Sequence, residues 1–237
     1  MIKPKNPLIS IIIPCLNEEK YIESTLKTIK NQKLHNFEII IIDGLSKDNT
    51  VKIAREYADR VIVEKKRGTG AARNAGTKIA KGEILLFVDA DTILPNDLTK
   101  KIHETLEQNN KISYGNVSLR FENLNIKCKL LNFYFYLQEL FPITKGVYGN
   151  CFFIKKELFE KVDGFRNVIC EDIELSFRLK KVGIKKDIKD THVISNIRRF
   201  EKKGYLRTIF LWSKEYWSMF FNRHHILPST DKYPVIR

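Results

Sequence analysis

Short apolar runs alternate with amphipathic segments through the first two-fifths of the chain. Continuous apolar runs of this length, bounded by Pro, Gly or Asp, are typical of strands buried on both faces. They predict strands at 8–13, 37–42, 60–64 and 84–88. The segments between them repeat apolar residues every three or four positions and predict helices at 18–30, 48–58 and 69–80. This order predicts an α/β fold with a doubly wound, mostly parallel central sheet and flanking helices.

The alternation is less regular after residue 94. Further helices are predicted at 95–108, 124–141, 171–181 and 205–222, and further strands at 111–121, 147–154, 184–188 and 191–197. No internal repeat and no Gly/Ser-rich linker separates these elements. We therefore expect one domain over about residues 1–200, followed by an amphipathic helix and tail over 201–237.

Asp89-Ala90-Asp91 directly follows the predicted strand at 84–88. Desolvated carboxylates need a counter-charge, so a buried strand that ends in two of them suggests a bound cation. Hard cations such as Mg²⁺ take oxygen ligands and usually share them with the phosphates of a substrate. The sequence therefore predicts a divalent metal and a phosphorylated substrate at this end of the sheet.

Carboxylates also follow the first two predicted strands. Asn17 and Glu18 come after the first strand, and Asp43 and Ser46 after the second. Ligands of open α/β sheets bind beyond the carboxyl ends of the strands, so these side chains are candidates for the same site. Helix capping explains Ser46, as it does Asp48, but explains Asp43 less well.

Composition narrows the class of protein further. The formal net charge is +14, which suits nucleic acid, anionic lipid or a phosphorylated substrate, but the lysines are spread along the chain rather than gathered in one arm. The four cysteines form no C-x-x-C pair, so we expect free, buried thiols in a reducing, cytoplasmic compartment. We expect no secretory leader and no membrane span, because no charged-apolar-small segment opens the sequence and no apolar run reaches about 20 residues, the length that spans a bilayer.

Four motifs in order carry a family resemblance. They read Pro14-x-x-Asn17-Glu18, Asp43-Gly44-x-Ser46-x-Asp48-x-Thr50, Gly70-Ala71-Ala72-Arg73-Asn74-x-Gly76 and Asp89-x-Asp91. Together they resemble the nucleotide-sugar half of a family 2 glycosyltransferase with the GT-A fold, of the kind that acts on polyprenyl phosphates or cell-surface glycans. The resemblance covers at least residues 7–100 and continues more loosely through Gly164-Phe165 and Glu171-Asp172. It implies a nucleotide-sugar half at about 7–100 and an acceptor half at about 101–200.

The resemblance also implies a role for each motif. A UDP- or GDP-sugar donor would be bound by Pro14, Asn17, Glu18, Asp43, Ser46, Arg73, Asp89, Ala90 and Asp91. Within that set, Asp43 would contact the base and Glu18 the ribose. Asp91, assisted by Asp89, would hold Mg²⁺ or Mn²⁺ on the diphosphate, where a Lewis acid neutralises the charge of the leaving group. Arg73 would approach Asp89 or the diphosphate.

The second half carries candidates for the acceptor side. The resemblance makes Asp172, beside Glu171, the general base that deprotonates an acceptor hydroxyl for direct, inverting attack on the sugar. A phosphate acceptor such as a polyprenyl phosphate is already ionised and needs no base, so both roles remain open. Arg198 and Arg199 are predicted to bind phosphate, because adjacent guanidinium groups can fork onto its oxygens. We interpret His192 as structural.

The predicted C-terminal helix has two interpretations. Its apolar stripe contains Leu206, Ile209, Phe210, Tyr216, Trp217 and Phe220, with Arg207, Lys214 and Arg223 placed away from it. The stripe either packs on the catalytic domain or lies in the interface of an anionic membrane, which would make the protein peripheral on the inner face of the cell membrane.

Two other functions are weighed against the transferase. A basic nucleic-acid-binding protein would leave the strand-end carboxylates unexplained, and no nucleic-acid partner is expected. A catalytically inactive transferase-like domain would not need the full acidic set. The G-x-G-x-x-G signature of dinucleotide binding is absent after the first strand, which argues against a dehydrogenase.

Overall fold

The structure is a computed structural model. It describes residues 7–66, 68–121, 126–140, 146–147, 149–168 and 170–221. The side chains of Arg199, Leu206, Tyr216 and Phe220, the whole of Arg223 and the tail from residue 228 lie outside that description.

One mixed sheet forms the centre of the described molecule. Its strands are β1 (Ile9–Cys15), β2 (Phe37–Asp43), β3 (Arg60–Val63), β4 (Ile84–Val88), β5 (Thr92–Ile93), β6 (Ile112–Phe121), β7 (Cys151–Lys155), β8 (Ile184–Lys185) and β9 (Ile188–Ser195). The spatial order is β3-β2-β1-β4-β7-β6-β9-β5, and β8 pairs with β6. β3, β2, β1 and β4 are mutually parallel, as predicted. β7 is antiparallel to both β4 and β6, which joins the two halves of the chain in the middle of the sheet.

Helices cover both faces of the sheet. They are α1 (Ile22–Lys30), α2 (Thr50–Tyr57), α3 (Thr69–Ile79), α4 (Leu98–Gln108), α5 (Ile126–Leu140), α6 (Lys156–Lys161), α7 (Glu171–Leu179), α8 (Arg198–Lys203) and α9 (Tyr205–Phe220). Residues of α1, α4 and α5 share one apolar core with alternate strand residues, and residues of α3, α6 and α7 share the other. The strands are therefore apolar on both faces because each face carries a helical layer.

The structure corrects the predicted end of the first strand. Pro14 does not end it, because β1 continues to Cys15 and Pro14 stays in register with Ile42 of β2. β4 pairs only with residues Ile9–Ile12 of β1, so Pro14 has a neighbour on one side alone. A proline that cannot donate to a ladder is tolerated where one side of the strand is unpaired.

Several other predicted boundaries were wrong. α1 begins at Ile22 rather than 18, α4 at Leu98 rather than 95, and β7 at Cys151 rather than 147. The predicted strands 184–188 and 191–197 are instead a two-residue β8 and a β9 that starts at Ile188. β5, α6 and α8 were not predicted, because elements of two to six residues show no measurable apolar period.

The last helices pack on the domain at one end. α8 crosses the predicted boundary at residue 200, and Phe200 is buried in the core against Phe121. The division into 1–200 and 201–237 stays a prediction. In α9 the predicted apolar stripe is split, because Ile209 packs against the core while Phe210 and Trp217 are exposed. Among the described residues, none of the helices combines the length and the apolar character needed to cross a membrane.

Candidate active site

Asp43 ends β2 and holds the loop that follows it. Its side chain is buried, and Oδ2 accepts hydrogen bonds from the backbone N–H groups of Leu45 (3.1 Å) and Ser46 (3.0 Å). The Cys15 thiol lies 3.8 Å from the other oxygen, Oδ1. Leu45 adopts a positive φ of 71°, so the chain turns sharply here and leaves Leu45 exposed beside the carboxylate.

The loops after β1 and β2 are tied to each other. The Asn17 N–H donates to Ser46 Oγ (2.9 Å), and the Lys47 N–H donates to Asn17 Oδ1 (2.8 Å). The Glu18 N–H donates to Thr50 Oγ1 (2.7 Å). Asn17 has a positive φ of 55°, which asparagine tolerates better than most residues. These bonds bring the motifs at 14–18 and 43–50 together at one edge of the sheet.

Arg73 of α3 connects carboxylates from both halves of the chain. Nη2 lies 2.9 Å from Asp89 Oδ1 and donates to the Gly149 carbonyl at 2.6 Å, while Nη1 lies 3.1 Å from Glu171 Oε1. The guanidinium is 2% exposed and stands over the Phe165 ring, with Cζ 5.4 Å from its centroid. A buried arginine that pairs with two carboxylates fixes their positions strongly, because removing it would leave buried charge uncompensated.

Asp172 lies beside this network at the start of α7. Its Oδ2 accepts from the Gly149 N–H at 3.0 Å, and its Oδ1 accepts from the Ile173 N–H at 2.9 Å. Arg73 thus binds the carbonyl of Gly149, and Asp172 binds the N–H of the same residue. A Cβ on Gly149 would lie 3.1 Å from Asp172 Oδ2 and 3.3 Å from Arg73 Nη2, so the close approach favours glycine.

Asp91 forms an ion pair with a second arginine, Arg198. Arg198 Nη2 lies 3.0 Å from Asp91 Oδ2 and 2.6 Å from Glu18 Oε1, and its Cζ stands 4.7 Å from the centroid of the Tyr21 ring. Ala90 is buried between the two aspartates, and its carbonyl accepts from Thr25 Oγ1 at 2.9 Å. The two carboxylates of Asp89-Ala90-Asp91 therefore face different arginines.

Not every predicted site residue joins this arrangement. Pro14 lies in β1, next to the Cys15–Asp43 contact. Arg199 follows Arg198 in α8, but its side chain is outside the described part, so the predicted two-arginine fork is represented by Arg198 alone. His192 is exposed on β9, where it pairs with Ser118.

Burial shapes the acid–base properties of the site. It raises the pKa of Glu18, an effect that Arg198 opposes and Asp89 reinforces. It also raises the pKa of Glu171, where Arg73 opposes the shift and Asp172 adds to it. The ionised form of each carboxyl is therefore disfavoured by desolvation, and a nearby cation would stabilise it. The four cysteines are free and buried, as predicted, and burial raises the thiol pKa of Cys15 and Cys151.

A divalent cation fits this edge of the sheet only when it is shared with a substrate. The described residues contain no group of three His, Cys, Asp or Glu side chains arranged to enclose a metal ion. Asp89 and Asp91 offer carboxylate oxygens two residues apart, and Glu18 Oε2 is buried without a hydrogen-bond partner in the described part. Mg²⁺ is commonly held by one or two carboxylates together with substrate phosphates, which matches this set.

Sequence analysis did not indicate Gly149 or Tyr21, and it named Phe165 without a role. Gly149 supplies both a carbonyl and an N–H to the network, Phe165 supports Arg73, and Tyr21 supports Arg198. A single glycine or aromatic residue carries no signal of its chemistry in sequence. The contacts of Gly149 and Phe165 depend on the antiparallel return of β7 and on the packing of α7 against α3, and that of Tyr21 depends on α8 lying beside the start of α1. Motif spacing alone does not show these arrangements.

About half of this chain is similar to bacterial proteins named as glycosyltransferases. The chain is 32% identical over 124 residues to a putative glycosyltransferase, EpsH, of Bacillus subtilis, which covers 50% of this chain and 36% of that protein. It is 33% identical over 117 residues to the Escherichia coli UDP-Glc:alpha-D-GlcNAc-diphosphoundecaprenol beta-1,3-glucosyltransferase WfgD, with 47% of this chain and 46% of that protein covered. The chain therefore spans less than half the length of these two relatives.

A solved structure and a family model complete the comparison. The mannosyltransferase PcManGT from Pyrobaculum calidifontis, solved in complex with GDP-Man and Mn²⁺, has a TM-score of 0.66 at 20% identity, covering 88% of this chain and 64% of that one. This likeness confirms the expected GT-A fold. Residues 10–163 match the family model described as glycosyl transferase family 2. The predicted resemblance is thus confirmed, and the chain belongs to glycosyl transferase family 2.

Proposed function

We propose that this chain transfers a sugar from a UDP- or GDP-sugar to a glycan or lipid-phosphate acceptor, with inversion and with the help of Mg²⁺ or Mn²⁺. The observation that carries the proposal is the Arg73 network. It joins Asp89 of the donor half to Glu171 of the acceptor half, while Gly149 connects it to Asp172. An enzyme that moves a group between two substrates needs its two binding halves in register, and a buried arginine supplies that.

The donor would lie across the ends of β1, β2 and β4. Asp43 would contact the base, and the backbone bonds from Leu45 and Ser46 hold its carboxylate in one orientation. Glu18 would accept from the ribose hydroxyls. Asp91, assisted by Asp89, would hold the divalent cation. When bound, that cation would neutralise the charge that builds up on the leaving nucleoside diphosphate.

Asp172 would act on the acceptor. Its carboxylate would take the proton of an acceptor hydroxyl, whose oxygen then forms a bond to the anomeric carbon. The bond from that carbon to the diphosphate oxygen breaks at the same time, and the electron pair leaves with the nucleoside diphosphate. One displacement inverts the configuration. The N–H groups of Gly149 and Ile173 donate to the Asp172 carboxylate and would fix it in place for this step.

The acceptor class is proposed from a relative. The name of the relative WfgD records a diphosphoundecaprenol-linked sugar as its acceptor. We propose the same class, a sugar or phosphate carried on a polyprenyl chain, for this protein. Arg198 would contact a phosphate of donor or acceptor once it leaves Asp91, because a guanidinium suits phosphate geometry. With such an acceptor, the protein would work in the cytoplasm, at the inner face of the membrane.

A donor panel tests the proposal. UDP-glucose, UDP-N-acetylglucosamine and GDP-mannose are each added with Mn²⁺, and thermal stabilisation and slow donor hydrolysis are measured. We expect one nucleotide class to stabilise the protein, and only with the cation present. Asp91→Asn should abolish the cation-dependent part and lower turnover by about a hundredfold or more, since the metal contributes several kcal/mol.

Asp190→Asn is the matched control for Asp91→Asn. Asp190 is 71% exposed on β9 and its ion pair with Lys101 is a surface pair, so this variant should behave as the parent protein. Donor-dependent stabilisation that persists unchanged in Asp91→Asn, or that survives a chelator, would refute the metal assignment. Stabilisation by none of the donors would refute the donor class.

A further inference from the structure

The exposed side of α5 carries an apolar stripe. Ile126, Leu130, Phe133 and Leu137 follow each other in steps of four, three and four residues, and their exposure ranges from 38% to 69%. At about 100° per residue they fall within a sector of about 60° of the helix surface. Such regular spacing on the outer face is not expected of a helix that meets only water.

The opposite side of α5 is buried in the core. Cys128, Leu131 and Phe135 are buried, and Phe135 packs on Phe121 with ring centroids 5.5 Å apart. The exposed stripe is therefore a second apolar face, separate from the one that holds α5 on the sheet. Anchoring to the domain does not account for it.

α9 and the residue that follows it carry a second exposed row, made of three aromatic residues and one lysine. Phe210, Lys214, Trp217 and Phe221 again follow steps of four, three and four residues, and all four are exposed. The rings of Trp217 and Phe221 stack, with centroids 6.1 Å apart. The two helices meet near their first turns, where Lys127 Nζ lies 5.8 Å from the centroid of the Tyr205 ring.

The charges around these stripes are mostly positive. Residues 126–137 contain two lysines and no Asp or Glu, and Lys129 is exposed beside the stripe. Residues 205–221 contain Arg207 and Lys214 against one glutamate, Glu215. Exposed Trp and Phe bordered by Lys and Arg are the composition of helices that lie in the headgroup region of anionic membranes.

We propose that the outer faces of α5 and α9 form a surface that docks on an anionic lipid bilayer. The start of α9 is close to the candidate active site, because α8 leads from Arg198, which contacts Asp91, to the first turn of α9. Phe200 of α8 also packs against Tyr205, the first residue of α9. A lipid-borne acceptor would thus arrive beside the acidic edge of the sheet, a step that rests on the proposed function.

Flotation of the full chain with lipid vesicles tests the surface. Vesicles of equal parts phosphatidylcholine and phosphatidylglycerol are compared with pure phosphatidylcholine at low salt, in the absence of substrates. We expect binding to the anionic vesicles only. The double variant Leu130→Ser/Phe133→Ser should lose at least about tenfold in partitioning, because two buried apolar side chains are removed from the contact.

A charge variant and a surface control sharpen the result. Lys129→Gln/Lys214→Gln should lose about fivefold for each lysine, and added salt should remove the same part of the binding in the parent protein. Val182→Ser alters an apolar side chain that is 46% exposed elsewhere on the chain and should change nothing. Circular dichroism and thermal unfolding show whether each variant keeps its fold.

Two outcomes would overturn the proposal. One is that the folded parent protein does not bind the vesicles, or binds them equally with and without anionic lipid. The other is a dimer in light scattering that Leu130→Ser/Phe133→Ser converts to monomer, which would assign the surface to a second copy of this chain. Donor binding is measured separately, so failure here leaves the proposed chemistry intact, and failure of donor binding leaves this surface intact.

Discussion

At the scale of single residues, the two arginines decide how the site is organised. Arg73 is 2% exposed and holds Asp89 and Glu171, whereas Arg198 is more accessible and holds Asp91 and Glu18. Asp89 and Asp91 could be predicted from the sequence because they directly follow an apolar run, whereas Glu171 was predicted from the family resemblance. The pairing of each carboxylate with its arginine could not, since Glu18 and Arg198 are separated by 180 positions.

The role of Asp172 gives the first residue-scale prediction. Replacing it by Asn keeps the shape but removes the group that would accept a proton. For a hydroxyl acceptor we expect kcat to fall by about a hundredfold to ten-thousandfold, the usual contribution of a general base, with little change in the KM for the donor. Steady-state kinetics with both substrates varied would measure this separation.

Glu157→Gln serves as the control for Asp172→Asn. Glu157 is an exposed carboxylate on α6, and its removal should leave both constants unchanged. If Asp172→Asn retains a kcat within about twofold of the parent, the base role is wrong for that acceptor. Such a result would favour a phosphate acceptor, which attacks without losing a proton.

At the scale of elements, α3 shows how packing positions the site. Gly76 faces β1 and β2, and a Cβ there would lie 2.5 Å from Ile12 Cγ2 and 3.2 Å from Ile42 Cγ1. This close contact seats α3 on the sheet, and Arg73 lies one helical turn earlier. The apolar period predicted the helix to within one residue at its end, but the depth at which it lies on the sheet depends on one missing methyl group.

Gly76→Ala tests that seating. Alanine favours a helix by about 1 kcal/mol over glycine, but the clash is with a branched methyl fixed to a buried strand, and overpacking typically costs 1–3 kcal/mol. A contact of 2.5 Å places the cost in the upper half of that range, about 2–3 kcal/mol, so we expect a net loss of about 1–2 kcal/mol in the free energy of unfolding, together with weaker donor-dependent stabilisation. Urea unfolding measures the first quantity and thermal shift the second.

The exposed face of α3 provides the comparison for Gly76→Ala. Lys78→Ala lies two residues away and points to solvent, so it should change the unfolding free energy by no more than about 0.5 kcal/mol. A Gly76→Ala variant as stable as Lys78→Ala would show that the sheet yields, and that close packing of α3 is not what positions Arg73.

At the scale of the whole molecule, the fold brings distant parts of the chain to one edge. The parallel strands β1, β2 and β4 place the donor motifs together, and that arrangement was predictable because parallel strands share their carboxyl ends. The antiparallel β7 then returns the second half of the chain to the same edge, beside β4. Apolar pattern alone does not distinguish the direction of a buried strand, so this closure was not predictable.

Arg198 provides the test at this scale, because it links α8 to both Asp91 and Glu18. In Arg198→Ala the two carboxylates lose a positive charge at about 3 Å. We expect Mn²⁺ alone to bind about tenfold more tightly, since a competing cation is gone, while the affinity for the complete donor falls. Opposite changes in the two affinities are the signature of a residue that holds the metal ligands before binding and the phosphate after it.

Isothermal titration with Mn²⁺ alone, and then with donor in saturating Mn²⁺, measures the two affinities on the same protein. Lys202→Ala removes an exposed cation from the same helix and should leave both unchanged, which separates a local effect of Arg198 from a general loss of positive charge. Two affinities that fall together in Arg198→Ala, with the fold intact, would show that Arg198 supports the site and does not compete for it. Unchanged Mn²⁺ affinity would instead place the cation away from Asp91. If Asp91 is a metal ligand, its release from the ion pair with Arg198 at 3.0 Å must change its affinity for a divalent cation.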